Sequence, residues 1–261
     1  PMEIRGEWHK LLTDMHTLQQ YDFNRCLTPK DASGQPSLVL LSDSSEKAYG
    51  YAAYVRWKLT DGSYWCRLIM AKTKIAPMET LTTPRLELNA AVLSKCGRCT
   101  IEKEMRLTFD SVLHLNDSAT VLCMINKLST RFRLYEGVRI GEIQAATDGN
   151  LTEWKWIAGK ENCADWITRG LRPQQIDSTS EWWNGPKFLY QDHSLWDVKC
   201  YDQVAQKKDI LPGEKKMVKT NLTSAKDCIA TGLFERVSSA KTIKWILARV
   251  FSMFKHKSFI G

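Results

Sequence analysis

The chain has 261 residues, 43% of them hydrophobic and 25% charged, enough for one sizeable domain with appendages and in the proportions of an ordinary globular protein. No apolar run reaches the roughly 18 residues a spanning helix needs, and the opening Pro1-Met2-Glu3-Ile4-Arg5 lacks the charged-then-apolar layout of a signal peptide; neither a membrane partner nor secretion is expected. The net charge of +8 sits at one end, because residues 206–261 hold 12 Lys+Arg against 4 Asp+Glu while residues 1–205 balance at 25 of each. Such an end suits a polyanionic partner, although a solvated basic face is the commoner case.

In chain order, Trp8, Leu11, Leu12, Met15 and Leu18 recur at helical spacing, and the polar stretch Thr28 to Ser37 then breaks the pattern with two prolines and a glycine. Residues 1–37 read as a lead-in helix and linker. From Leu38 the texture becomes strand-like. LVLLSD is a short buried run, and YGYAAYVRW and YWCRLIMAK flank the turn signal Thr60-Asp61-Gly62-Ser63, giving three consecutive antiparallel strands.

Thr83-Pro84 then supplies an N-cap with proline at the first helical position, opening a long helix through Leu86, Ala90, Leu93 and Ile101. Residues 109–116 alternate as a strand, SATVLCMINKL and RLYEGVRIGEIQAAT read as helices, 151–157 as a strand, and CADWITRGL as a short last helix. The order β β β α β α α β α requires parallel strands after the hairpins, hence a mixed α/β fold of five strands. An aromatic extension with Trp182, Trp183, Phe188 and Trp196 closes a domain over 38–205. A charged linker and a basic amphipathic helix (Ile243, Ile246, Leu247, Val250 and Phe254 against Lys241, Lys244, Arg249 and Lys255) fill 206–261.

The eight cysteines are scattered and expected to be free thiols. Cys96-Gly-Arg-Cys99 has zinc-finger spacing but no second pair at a zinc-ribbon distance, so it reads as two helix cysteines.

Four acids occupy comparable places. Asp43 closes the first strand, Glu87 lies in the first turn of the long helix, Asp117 ends the fourth strand, and Asp165 opens the last helix. Strand ends and neighbouring helix starts converge at one edge of a parallel α/β sheet. Four carboxylates gathered there require cations, and oxygen-only ligands select hard ions, Mg²⁺ or Mn²⁺. Two such ions can drive an in-line phosphoryl displacement without a protein nucleophile. Each acid taken singly also fits a helix cap or dipole partner.

Leu41-Ser42-Asp43-Ser44-Ser45-Glu46-Lys47-Ala48-Tyr49-Gly50, Thr82-Thr83-Pro84-Arg85-Leu86-Glu87-Leu88, Asn116-Asp117-Ser118, Ala158-Gly159-Lys160-Glu161-Asn162-Cys163-Ala164-Asp165 with Thr168-Arg169-Gly170, and Trp182-Trp183-Asn184-Gly185-Pro186 together resemble the RNase H region of Pao/BEL-type LTR retrotransposon polyproteins. The resemblance covers roughly residues 6–190. It implies a ribonuclease H-like fold with helices on both sheet faces, and a metal-binding quartet of Asp43, Glu87, Asp117 and Asp165 cutting the RNA strand of an RNA/DNA hybrid.

It further implies reverse transcriptase and integrase portions of one polyprotein as partners, and a cytoplasmic virus-like particle, or the nucleus, as location. Cellular and retroviral RNases H usually carry a histidine shortly before the last aspartate. Gly159 to Cys163 has none, which leaves Lys160, Glu161 or water for the leaving-group proton. Ser44, Ser45, Ser118, Lys160 and Arg169 are candidate hybrid contacts, with turn or cap bonding the alternative for the serines. His114, an odd number of residues from Asp117, is expected on the opposite strand face in a structural role. The competing readings are a DNA nuclease of related fold and a host-adopted module that binds without cutting.

Overall fold

Leu38, Val39, Leu40 and Leu41 are all fully buried, which happens only when a strand is covered on both faces. They lie in β1 (Ala32–Ser44), inside a six-stranded sheet of order β3-β2-β1-β4-β5-β6. The computed structural model describes residues 2–21, 26–78, 81–177, 179–205 and 211–215, all within the first of the two units, 1–215 and 216–261, into which the chain divides. The amphipathic helix and most of the basic linker expected in 206–261 therefore lie outside the described residues.

β1, β2 (Ala48–Leu59) and β3 (Tyr64–Ile75) form the expected antiparallel hairpins. α2 (Thr83–Glu104) carries the chain across to β4 (Ser111–Asn116), parallel to β1. α3 (Ala119–Ile125) and α4 (Leu134–Ala146) carry it to β5 (Trp154–Ile157), parallel to β4. This is the ribonuclease H-like arrangement. The sheet has one strand more than expected: β6 (Val198–Lys199) pairs antiparallel with β5, and two residues are too few to show a period.

β1 also starts earlier than Leu38. Its register slips between Ser33 and Ser37, so the bulge absorbs Gly34 at φ 76° and Pro36, whose carbonyl accepts from Asp110 N at 2.9 Å. The residues that read as linker breakers are those a bulge accommodates.

Leu38, Leu40, Tyr51 and Ala53 pack under α2, which continues into a second cluster with α3 and α4. Gly97 permits the approach, because a Cβ there would run into the Tyr51 ring. The Cys96-Gly-Arg-Cys99 stretch is thus a packing site, and both thiols are free.

Val39, Leu41, Tyr54 and Leu115 face the other way, against α5 (Asp165–Arg169) and the aromatic extension with α6 (Glu181–Asn184). Arg56 fastens that extension: its guanidinium donates to Leu189 O and Gln191 O, each at 2.6 Å, and lies 3.6 Å from the Tyr64 ring centroid. α1 (Met2–His16) forms from the expected periodic residues, with Trp8 60% exposed.

The chain returns once more after α7 (Tyr201–Val204). Leu211 is buried beside α3 and α4, Phe132 and Glu214 form an antiparallel bridge, and Arg133 N donates to Gly213 O at 2.8 Å. No helix among the described residues is long and apolar enough to cross a membrane.

Candidate active site

The parallel register sets the geometry of the acid edge. Ser42 lies opposite Asn116, so the next residues, Asp43 and Asp117, leave the sheet at one level. Asp43 is the penultimate residue of β1 and 7% exposed, and Asp117 directly follows β4. Glu87 sits in the second turn of α2 rather than the first. The N-cap is Thr82, whose carbonyl accepts from Arg85 N and Leu86 N, so the helix begins one residue earlier than Thr83-Pro84 suggests. Asp165 is the first residue of α5.

Hydrogen bonds tie these acids into one neighbourhood. Thr168 Oγ1 donates to Asp43 Oδ2 at 2.6 Å, which fixes α5 to the end of β1. Ser118 Oγ donates to Glu87 Oε2 at 2.5 Å while accepting from Val121 N as the N-cap of α3, which fixes α2 to the residue after Asp117. Asn162 donates to Ser42 O at 3.0 Å and stabilises the Asp117 carboxylate. Asp165 is held differently, by Arg169 Nε at 2.5 Å one helical turn on.

The electrostatics follow from burial and mutual repulsion. Burial and then the charges of Asp43 and Glu87 push the Asp117 carboxyl up to about 6. Asp43 is raised by burial and by Asp165, and Glu87 by burial and by Asp43. The first three acids therefore share a negative field that Arg169 only partly offsets. Among the described residues no three His, Cys, Asp or Glu side chains stand close enough to hold a metal ion as they lie. The donor set nevertheless suits one: it is all oxygen, anionic, and braced on three of its members by neutral groups only.

Residues 1–118 match the family model described as the Pao retrotransposon-like RNaseH-like domain. Over those residues the chain is similar to that family. The Pao-type match contains Asp43, Glu87 and Asp117, and stops before Asp165. Among solved structures, the N-terminal RNase H domain of a Mycobacterium tuberculosis protein, solved as a fusion with maltose-binding protein, is similar at 13% identity and TM-score 0.32, over 52% of this chain and 92% of that one. RNase H1 of the archaeon Halobacterium salinarum is similar at 12% identity and TM-score 0.29, over 49% and 89%. No curated protein matches the chain.

The remaining site candidates fall into two groups. Ser44 Oγ is buried without a partner, and Ser45 Oγ closes the β1–β2 turn and reaches Thr168 O, so both hydroxyls point into the protein. Lys160 and Arg169 are exposed at the rim, with side chains 81% and 75% accessible. Gly159 lets the loop that carries Lys160 close on the site, since a Cβ there would lie 3.1 Å from Asp117 Oδ2.

His114 is fully buried on the α2 side, 2.8 Å from Ser94 Oγ and stacked on Trp154 at 4.1 Å, and burial pushes it down to about 3. Thr168, Asn162, Asn116 and Trp156, whose Nε1 donates to Asp117 O at 2.7 Å, brace the acids, a role that the motifs containing the first three do not disclose. Thr168 could have been found: it lies three residues after Asp165, on the same helical face.

Proposed function

We propose that this domain is a divalent-metal-dependent endoribonuclease that hydrolyses the RNA strand of RNA/DNA hybrids during reverse transcription of an LTR retrotransposon. The observation that carries the reading is the edge itself, where three mutually repelling carboxylates, one buried and two half-buried, are held by neutral donors in a chain whose residues 1–118 match the Pao retrotransposon-like RNaseH-like domain. Asp43, Glu87, Asp117 and Asp165 would hold Mg²⁺ or Mn²⁺. Bound there, two ions supply an activated water and charge stabilisation for the leaving oxygen.

The chain's own part is orientation. Thr168 engages Oδ2 of Asp43 and Ser118 engages Oε2 of Glu87 through neutral hydroxyls that orient the carboxylates without cancelling their charge. Lys160, Glu161 or water would deliver the proton to the leaving group, the first two lying in the loop whose Gly159 approaches Asp117. The hybrid would be gripped through its backbones by Lys160 and Arg169. Reverse transcriptase and integrase portions of the same polyprotein are the proposed partners, in a cytoplasmic virus-like particle or the nucleus.

Incubating the full chain with matched RNA/DNA, DNA/DNA and junction substrates in Mg²⁺ tests this. The expected result is cleavage of the RNA strand of the hybrid only, abolished by chelation. Preferential cutting of duplex DNA or junctions would reassign the substrate. Hybrid binding with no cleavage in either Mg²⁺ or Mn²⁺ would make the domain a binding module.

A further inference from the structure

Arg169 is the cation that meets the acid edge. Its Nε donates to Asp165 Oδ1 at 2.5 Å, its field reaches Asp43 and Asp117, and three quarters of its side chain is open to solvent. The other three carboxylates have neutral partners, Thr168, Ser118 and Asn162, which orient without cancelling charge. The site is therefore asymmetric before any ion enters: three members have neutral hydrogen-bond partners and the fourth is already paired with a cation. An exposed ion pair one helical turn apart is weak and breaks readily, and a guanidinium and a divalent ion that want the same oxygen exclude one another.

We propose that Arg169 is a resident counter-cation, holding Asp165 in the metal-free protein and yielding it to an incoming divalent ion. The inference rests on the metal-dependent reading above. It makes the site fill in two stages, Asp43, Glu87 and Asp117 taking an ion first and Asp165 joining only against competition from Arg169. The guanidinium released from Asp165 is then free for a phosphate of the hybrid, so metal loading and substrate grip become linked.

Titrating the full chain with Mn²⁺ alone, and reading free Mn²⁺ by electron paramagnetic resonance, tests the exchange without reference to activity. Wild type should bind one ion and then a second more weakly. Arg169→Gln should tighten the second step by about fivefold and the first by less, Arg169→Lys should sit between, and Asp165→Asn should lose the second step alone. If Arg169→Gln binds both ions as wild type does, the counter-cation role is wrong although the metal-dependent reading stands. If neither protein binds Mn²⁺, or if Asp43→Asn binds it as wild type does, the metal-dependent reading itself fails and the inference falls with it.

Discussion

Two regions of this domain take carboxylates out of water, and they treat them in opposite ways. Beside α4, Glu136 is 3% accessible at its side chain and pairs with Arg85 at 2.7 Å, and Glu214 meets Lys127 at 3.1 Å and Arg131 at 2.9 Å. Hydrogen bonding from Leu211 N and Lys127, with the charges of Lys127 and Arg131, outweighs burial and holds Glu214 below the usual carboxylate range. At the acid edge, Asp43, Glu87 and Asp117 lie among neutral donors and are all raised. A protein that needed those acids only for stability would have neutralised them as it does Glu136. Leaving them only partly offset costs folding energy and makes sense if a removable cation supplies the missing charge.

The sharpest way to break this contrast is Asp117→Asn. It should lower Mg²⁺-dependent hybrid cleavage by about a thousandfold or more while leaving hybrid binding intact. Without metal the same substitution should stabilise the fold. The sign follows from the raised carboxyl: a folded value of about 6 against 3.8 unfolded favours the native state below pH 4 and penalises it as pH rises through 6. Thermal melts at pH 7 in chelator should show the variant ahead by about 2 kcal/mol, allowing for partial exposure, and Mg²⁺ should erase the gap. A variant less stable than wild type would mean that the edge is structural.

Glu136→Ala should do the reverse, costing about 3 kcal/mol in urea unfolding because it strands Arg85, with metal affinity unchanged. His114 adds an acid limit. With a folded value near 3 against 6.5 unfolded, it contributes stability above pH 6.5 that is lost as pH falls toward 3. The loss should reach about 2 kcal/mol by pH 5, and His114→Phe should flatten that part of the stability profile. The smallest effect is expected from Gly159→Ala, whose methyl would press on Asp117. Mn²⁺ binding should weaken by about threefold, corresponding to a few tenths of an ångström of misplacement.

What the residues disclose and what they hide differ for physical reasons. The central strands are legible because Leu38 to Leu41 form a continuous apolar run, and α2 because its period persists over 22 residues. β6 is not, since a two-residue strand is recruited by its neighbour and has no pattern of its own. The start of β1 is hidden because Gly34 and Pro36 break a regular strand but are compatible with a bulge. The acids are readable as strand ends and helix starts, whereas their bracing is not. Thr168 reaches Asp43 across 125 residues, and Ser118 reaches Glu87 across 31, contacts that only the tertiary fold creates. The pairing of Asp165 with Arg169 is the exception, an i,i+4 spacing visible in the sequence itself.

The late return of the chain at residues 211–215 has a consequence for how the domain is made. Leu211 completes the cluster under α3 and α4, Gly213 leaves just enough room for the Glu136 carboxylate, and Glu214 neutralises Lys127 and Arg131. This flank of residues 1–215 is thus closed by residues that leave the ribosome more than fifty positions after β5 ends. Synthesis that stalls at Ala205 would yield a protein with a frayed flank, and any protease that releases this unit from residues 216–261 must cut beyond Lys215 to leave the seam closed.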